Sequence, residues 1–162
     1  MSRRRDIRMR NDAEELKKLA AQCDWFDLSC VGDPPHTFHL TFRCRGLMKN
    51  ASNQVVETNL HKCTIQLTAG YPTQAPNVTW QTPIFHPNIR GQAVCHSNQW
   101  APSWSLADFV VELSDMARFE KVNVNSPLDR VAADWVRHNQ NRLPVDTREL
   151  RAKPFSITIR PK

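Results

Sequence analysis

Alternating apolar and polar residues across residues 26–80 constrain the fold more than any other feature of the chain. In the first stretch, Phe26, Leu28 and Cys30 alternate with polar neighbours. The same alternation recurs in three later stretches, whose apolar positions are Phe38, Leu40, Phe42 and Cys44, then Cys63, Ile65, Leu67 and Ala69, then Val78 and Trp80. A period of two places alternate side chains on opposite faces of a strand, so the pattern predicts four strands with one buried face. The short connections favour an antiparallel meander, with residues 46–54 as a loop.

A helix is predicted before the strands. In residues 11–23 the apolar side chains fall on one side of a helix, and Asn11 followed by Glu14 resembles a capping box. The arginines upstream are compatible with an earlier start, near residue 5.

Two helices are predicted after the strands. The first carries an apolar stripe from Leu106 to Ala117 and is capped by Ser105 with Asp108. The second starts at the Ser-Pro-Leu-Asp sequence that opens with Ser126. Its apolar stripe consists of Leu128, Val131, Ala132, Trp135 and Val136. The elements together predict an α+β domain: an N-terminal helix, a four-stranded antiparallel meander, an irregular segment and C-terminal helices on one face of the sheet.

The chain is predicted to divide at residue 140. A chain of 162 residues with 40% hydrophobic residues suits one domain, which we place in residues 1–140. Residues 141–162 are predicted to form an extension. Within it, residues 143–153 are compatible with a short helix, and residues 155–159 alternate like one more strand, which must pair with another strand to be stable.

The composition excludes several classes of protein. No apolar run approaches the roughly 20 residues of a membrane span, and the start, MSRRRDIRMR, has no apolar stretch behind it and is not a signal peptide. A cytoplasmic location is therefore expected. Five cysteines without a C-x-x-C sequence disfavour a disulfide scaffold and a structural zinc site. We expect reduced thiols, no metal and no cofactor.

The net charge of +6 is concentrated near the N-terminus. The arginine cluster consists of Arg3, Arg4, Arg5, Arg8 and Arg10. Basic proteins bind nucleic acids in many cases, but no nucleic-acid-binding motif accompanies this cluster. A solubilising terminus or a docking surface for an acidic protein is the favoured interpretation.

Residues 82–104, TPIFHPNIRGQAVCHSNQWAPSW, hold the candidate chemistry. Pro83, Pro87 and Pro102 exclude a helix and a central strand. Cys95 lies here outside any apolar period, and an accessible thiol is a nucleophile once it is deprotonated. From composition alone, a reactive thiol and an incidental loop thiol are equally good interpretations of Cys95. The other four cysteines fall in phase with apolar neighbours: Cys23, Cys30, Cys44 and Cys63.

The motifs of this region and the order of elements resemble the ubiquitin-conjugating enzyme family, over roughly residues 5–139. The matching positions are Tyr71, Pro72 and Pro76 for the family's Y-P-x-x-x-P, His86, Pro87 and Asn88 for its H-P-N, Cys95 for its catalytic cysteine, and Trp100 and Pro102 for its W-x-P. The resemblance implies that an activating enzyme delivers ubiquitin or a ubiquitin-like modifier to Cys95 as a thioester. Cys95 then transfers it to an amine, such as a lysine of a protein target, with or without a ligase.

The resemblance also suggests roles for neighbouring residues. Asn88 either donates to the oxyanion formed in both steps or holds the loop in shape. Ser126 either positions or deprotonates the incoming lysine or simply caps a helix. His96 either modulates Cys95 or is solvated. The residues expected to be structural at the site are His86, Pro87, Trp100 and Pro102.

Some positions depart from the family pattern. Cys95 follows Asn88 by seven positions where eight is common, and Thr73 stands where an aromatic residue often contacts ligases. Such a divergent member is compatible with a bacterial ubiquitin-like conjugation pathway. The alternative function is a non-catalytic, modifier-binding variant of the fold, against which Cys95 and the intact H-P-N argue. The arginine cluster is expected to dock the activating enzyme.

Overall fold

The structure, a computed structural model, describes residues 2–95 and 100–151. In chain order the elements are helix α1 (Arg3–Ala21), strands β1 (Phe26–Gly32), β2 (Pro35–Phe42), β3 (Gly46–Lys49), β4 (Val55–Thr58), β5 (His61–Gln66), β6 (Asn77–Trp80), β7 (Ile89–Arg90) and β8 (Ala93–Val94), helices α2 (Leu106–Ala117) and α3 (Arg130–His138), and a short 3-10 helix (Gln140–Arg142). Within the described residues, no helix combines the length and the apolar character that crossing a membrane requires.

The main sheet has four antiparallel strands in the order β1-β2-β5-β6. One row of facing residues runs across all four strands through Leu28, Leu40, Cys63 and Trp80. The last three of these side chains are at most 1% exposed, whereas their neighbours along each strand face outward. The predicted α+β fold, with a four-stranded antiparallel meander and one buried face, is confirmed.

The predicted loop at residues 46–54 is wrong in part, because β3 pairs with β4 in a separate hairpin. The Asn50 side chain closes its turn by accepting hydrogen bonds from two backbone N–H groups farther along the turn. Leu47 of this hairpin is buried in a second, smaller apolar cluster with Phe85 and Val136. Alternation does not identify these strands, because their apolar residues are adjacent, Leu47 with Met48 and Val55 with Val56, instead of two positions apart.

Helix α1 starts earlier than its predicted cap. Ser2 is the N-cap, and its side-chain oxygen accepts a hydrogen bond from a backbone N–H of the first turn. Asn11 and Glu14 therefore lie inside the helix, and the prediction of a capping box there is wrong. The buried face of α1 begins only at Met9, so the first turns carry no apolar periodicity that would reveal the start.

Helix α2 begins and ends at the predicted residues, Leu106 and Ala117. The Ser105 hydroxyl accepts a hydrogen bond from the Asp108 N–H at 3.1 Å, and the Asp108 carboxylate accepts one from the Ser105 N–H at 3.0 Å. The predicted cap is therefore confirmed. The apolar side of α2 packs with α1 on the buried face of the sheet. The most deeply buried side chains of this core include Leu16, Phe38, Leu40, Ile65, Phe109 and Leu113.

Helix α3 starts later than predicted. Its N-cap is Asp129, whose carboxylate accepts a hydrogen bond from the Ala132 N–H at 3.0 Å. The prediction of Ser126 as a helix N-cap is wrong, because a carboxylate closer to the apolar turn takes that position. Leu128, which precedes the helix, and Val131, which lies off its buried face, are exposed instead of buried. The buried side chains of α3 are Ala132, Ala133 and Val136.

Residues 143–151 return across the body of the protein without the short helix predicted there. Leu150 is 4% exposed and belongs to the main core. The Asp146 carboxylate accepts hydrogen bonds from the Arg148 guanidinium at 2.7 Å and from the Arg45 backbone N–H at 3.2 Å. The Arg148 hydrogen bond lowers the pKa of Asp146 to about 2. This segment is thus anchored to the core by an apolar side chain and an ion pair.

The rest of the predicted extension lies beyond this anchored segment. Residues 152–162, with the strand predicted at 155–159, lie outside the described residues. The division of the chain at residue 140 stays a prediction.

The buried carboxylate of Asp12 connects three segments of the chain. Asp12 of α1 is 3% exposed and accepts hydrogen bonds from Arg8 at 2.8 Å, from the Tyr71 hydroxyl, and from the backbone N–H of Leu106 at 3.1 Å. The partners lie on α1 itself, in the turn between β5 and β6, and at the first residue of α2. Every partner is a donor, so the buried carboxylate has the hydrogen bonds that its burial requires.

Two arginines of the N-terminal cluster face the body of the protein. Arg8 donates to the backbone carbonyls of Pro102, at 2.9 Å, and of Trp104. Arg5 donates to two backbone carbonyls of the turn at residues 68–71. These contacts give Arg5 and Arg8 a structural role. The more exposed arginines of the cluster are Arg3, Arg4 and Arg10.

Substitution of Asp12 tests the importance of this junction. We expect Asp12→Ala to lower the free energy of unfolding by about 3 kcal/mol, since it removes the carboxylate paired with Arg8 and leaves the Tyr71 hydroxyl and the Leu106 N–H without this acceptor. Urea denaturation at neutral pH measures the change. Glu14→Ala is the matched control on the exposed side of α1, where a change within about 0.5 kcal/mol is expected. Equal effects of the two substitutions would contradict a structural role for Asp12.

Candidate active site

The site is built on the turn formed by His86, Pro87 and Asn88. The His86 ring is fully buried against Phe119, with 4.8 Å between ring centroids, and its Nδ1 accepts a hydrogen bond from the Asn88 N–H at 3.0 Å. Burial lowers the pKa of His86 to about 3. At neutral pH the ring is therefore an uncharged hydrogen-bond acceptor that shapes the turn. A neutral, buried ring with this partner is a poor candidate for a general base.

The Asn88 side chain joins this turn to the loop that follows α2. Its Nδ2 donates to the Asn123 carbonyl at 2.8 Å, and its Oδ1 accepts from the Asn123 N–H at 2.9 Å. Asn88 is 4% exposed. The amide carries two N–H donors, so one bond to Asn123 leaves a second N–H on the same nitrogen. The geometry is compatible both with holding the loop and with donating to an oxyanion.

The Pro87 carbonyl brings the start of α3 to the same turn. It accepts hydrogen bonds from the backbone N–H groups of Leu128 at 2.9 Å and of Asp129 at 3.1 Å. Ser126, two residues earlier, is exposed and does not line the cleft that contains Cys95. Ser126, the predicted site residue in the loop before α3, therefore lies outside the cleft that Cys95 lines.

A small hairpin presents Cys95 to the turn. Strands β7 and β8 pair Ile89 with Val94, and Gly91 adopts a positive φ of 58° at the connection. The Cys95 N–H then donates to the Asn88 carbonyl at 2.9 Å. The hairpin spans the seven positions from Asn88 to Cys95. The prediction that this segment lacks regular structure is therefore wrong in part. The signal in the sequence is the Gly91-Gln92 pair, since glycine at the first position is typical of two-residue hairpin turns.

Trp100 fixes the far side of the segment. Its Nε1 donates to the Pro72 carbonyl at 2.9 Å, and its ring contacts those of Tyr71 and Phe109 at centroid distances of 5.4 and 5.7 Å. Pro102 contributes the backbone carbonyl that accepts from Arg8. These contacts pack the predicted W-x-P residues onto α2 and the turn before β6. His96 lies outside the described residues.

Cys95 opens into a cleft of about 180 Å³. The cleft is lined by Asn88, Cys95, Glu112, Met116, Lys121, Val122 and Asn123. The Lys121 ammonium lies 2.5 Å from a carboxylate oxygen of Glu112, and this hydrogen bond raises the pKa of Lys121. Sequence reasoning missed this ion pair. Glu112 lies on the polar side of α2 and Lys121 in the loop after it, and no motif marks either residue.

The other four cysteines do not line this cleft. Cys44 and Cys63 are at most 1% exposed, and burial raises the pKa of Cys44 to about 12. Burial also raises the pKa values of Cys63, Cys23 and Cys30. Their thiolates, the nucleophilic form, are therefore disfavoured. In the part of the chain that the structure describes, no group of three His, Cys, Asp or Glu side chains gathers to hold a metal ion.

Comparisons with known proteins show the family of this chain. A family model described as "Ubiquitin-conjugating enzyme" matches residues 11–149. Over 89 residues the chain is 34% identical to ubiquitin-conjugating enzyme E2 13 of Saccharomyces cerevisiae, a match that covers 52% of this chain and 57% of that protein. Over 88 residues it is 26% identical to ubiquitin-conjugating enzyme E2 1 of Caenorhabditis elegans, covering 52% and 45%. The chain thus spans about half the length of the curated relatives it matches.

A solved structure supports the fold independently. The chain is similar to S. cerevisiae Ubc12 with a TM-score of 0.65 and 20% sequence identity, over 86% of this chain and 75% of that one. The shared architecture includes the N-terminal helix, the four-stranded antiparallel sheet and the C-terminal helices.

Two buried histidines beside the site predict a pH-dependent stability. Burial lowers the pKa of His61 to about 4 and that of His86 to about 3. The unfolded chain takes up a proton on each ring near pH 6.5, whereas the folded protein does so only at lower pH. The free energy of unfolding should therefore fall as the pH drops from 6.5 to 4, by up to about 1.4 kcal/mol per pH unit for each histidine.

Urea denaturation at pH 7, 6 and 5 measures this slope. His61→Phe keeps an aromatic ring beside Trp80 and removes one titrating group, so the variant should show about half the pH dependence. A wild-type stability that stays constant between pH 6.5 and 4 would contradict buried, neutral histidines.

Proposed function

This chain belongs to the ubiquitin-conjugating enzyme family, and from that membership we propose that it accepts ubiquitin or a ubiquitin-like modifier on Cys95 and transfers it to an amine. The observation that carries the proposal is the position of the thiol. Cys95 is half-buried at a cleft and is hydrogen-bonded through its backbone to the His86–Asn88 turn. The four other thiols are held in surroundings that raise their pKa values.

The proposed reaction has two acyl transfers. In the first, the Cys95 thiolate attacks the carbonyl carbon of the thioester on the activating enzyme, and that enzyme's thiolate leaves. In the second, a target lysine amine attacks the new thioester, an amide forms, the bond to the Cys95 sulfur breaks, and the amine proton passes to solvent. Both steps form a tetrahedral oxyanion, which needs hydrogen-bond donors already in place.

Asn88 is proposed to serve both steps through its amide. The pair of hydrogen bonds to Asn123 supports a role in holding the loop at the edge of the cleft. The second N–H of the same nitrogen supports the role of oxyanion donor. We keep both roles, because the first fixes the orientation that the second requires.

Ser126 is proposed to contact the incoming lysine from the rim of the site. Its exposed position in the loop before α3 supports contact with a target rather than with the cysteine. A hydroxyl there offers a hydrogen-bond acceptor to an ammonium group. The supporting residues of the site are His86, Pro87, Trp100 and Pro102.

The proposed partners are a modifier, an activating enzyme and a protein target in the cytoplasm. A ligase, if one takes part, meets an exposed Thr73 rather than an aromatic side chain, so we propose that its main contacts lie elsewhere. The alternative function, a non-catalytic modifier-binding protein of the same fold, predicts association with the modifier but no covalent adduct.

Charging of Cys95 tests the proposal. We expect incubation with a cognate activating enzyme, ATP and modifier to give a band shift on a non-reducing gel that thiol reductants reverse. Cys95→Ala should abolish the shift, whereas Cys95→Ser, if charged, should give a reductant-resistant oxyester, because an oxyester does not exchange with thiols. Cys30→Ala is the matched control, for which charging should persist. A reductant-sensitive adduct in Cys95→Ala would refute the assignment of the nucleophile.

Asn88→Ala tests the role of the amide in transfer. Loss of one oxyanion donor costs about 3 kcal/mol, or about a hundredfold in rate. We expect the variant to become charged on Cys95 but to discharge slowly to free lysine, since the activating enzyme supplies its own donors in the first step. Single-turnover discharge and thermal unfolding are measured on the same preparation. An equal loss of both steps together with a lower melting temperature would favour a purely structural role.

A further inference from the structure

Lys121 places an amine in the cleft of the proposed nucleophile. It lies in the loop after α2 and lines the same cleft of about 180 Å³ as Cys95. The other lysines in residues 2–95 and 100–151 do not line this cleft: Lys17, Lys18, Lys49 and Lys62. The lysine side chain is flexible, and its four-carbon stem is long enough to reach across a cleft of this size. An amine is also the type of acceptor that the proposed reaction uses.

Two carboxylates hold this amine in the ammonium form. The Lys121 Nζ lies 2.5 Å from Glu112 Oε1 and 3.6 Å from Asp115 Oδ2. The side chains of Glu112 and Asp115 are 20% and 11% exposed, whereas that of Lys121 is 55% exposed. Both carboxylates are thus largely buried on α2, and the lysine is the more exposed partner. The Glu112 hydrogen bond raises the pKa of Lys121, and an ammonium has no lone pair with which to attack a carbonyl.

We propose that Lys121 is a built-in acceptor for the acyl group carried on Cys95, and that Glu112 keeps it unreactive. The proposal rests on the proposed function, because it needs a thioester on Cys95. Once released from Glu112 and deprotonated, the Lys121 amine attacks the thioester carbonyl carbon. A C–N bond forms, the C–S bond breaks, Cys95 leaves as a thiolate, and the amine proton passes to water. The acyl group moves from sulfur to nitrogen without an oxidant or a further reactant.

The consequence is a choice between external and internal acceptors. While the Glu112–Lys121 pair is intact, the thioester persists for an amine from outside. When the pair is broken, the enzyme modifies itself beside its own nucleophile. The Glu112–Lys121 pair therefore protects the thioester on Cys95.

A chemical acyl donor tests this without an activating enzyme. N-acetylglycylglycine, as its mercaptoethanesulfonate thioester, acylates Cys95 by thiol exchange. Hydroxylamine cleaves the thioester but not an amide, so intact-protein mass spectrometry before and after hydroxylamine separates the two products, and peptide mapping locates the amide. The proteins compared are wild type, Glu112→Gln, the double variant Glu112→Gln/Lys121→Arg, and Lys62→Arg as an exposed control lysine. Cys95→Ala reports direct acylation of lysines by the probe.

The expected result is a hydroxylamine-resistant product at Lys121 that increases about threefold or more in Glu112→Gln, the size of effect that a partly exposed ion pair has on an equilibrium. The product should be absent from the double variant and from Cys95→Ala, and unchanged in Lys62→Arg. Equal yields of the Lys121 amide in wild type and Glu112→Gln, or an amide at another lysine, would overturn the inference. If a thioester still forms on Cys95 in that case, the proposed function is unaffected. Absence of any thioester at Cys95 would count against both.

Discussion

The paired hydrogen bonds between the Asn88 side chain and the Asn123 backbone are the interaction on which the site depends. They join two segments that have no regular structure and that lie 35 residues apart. In the same turn, the Asn88 carbonyl accepts a hydrogen bond from the Cys95 N–H. The Pro87 carbonyl accepts hydrogen bonds from the backbone N–H groups at the start of α3. One buried turn therefore holds the Cys95 backbone, the loop that contains Asn123 and the start of α3. A segment of this kind needs such contacts, because its backbone groups have no helix or sheet partners.

A second anchor fixes the other end of the segment. Asp12 binds the first N–H of α2 and the Tyr71 hydroxyl, and Arg8 binds the Pro102 carbonyl. Along the chain, Cys95 lies between these two anchors. Burying a carboxylate is costly unless donors surround it, and Asp12 meets that condition. Buried polar contacts thus anchor the segment on both sides of Cys95, whose side chain is partly exposed.

The sequence predicted those parts of the structure whose signal is local and repeated. The strand alternation and helix α2 follow from apolar periodicity, and Cys95 with the His-Pro-Asn turn follows from a motif. The β3–β4 hairpin was missed because the apolar residues of its strands are adjacent and do not alternate. The cap of α3 was misplaced because Ser126 and Asp129 compete as acceptors within a few residues. The Glu112–Lys121 pair was missed because it joins a helix to a loop through the fold and leaves no pattern in the sequence.

The central claim is that one thiol of five carries the modifier. It is tested most directly by mapping the adduct rather than by removing the residue: the protein is charged with activating enzyme, ATP and modifier, quenched in acid, digested and examined by peptide mass spectrometry without reductant. The account predicts a thioester-linked modifier terminus on the peptide that contains Cys95, and unmodified thiols at Cys23, Cys30, Cys44 and Cys63. A thioester at any of these four cysteines, or association of the modifier without a covalent bond, would contradict it.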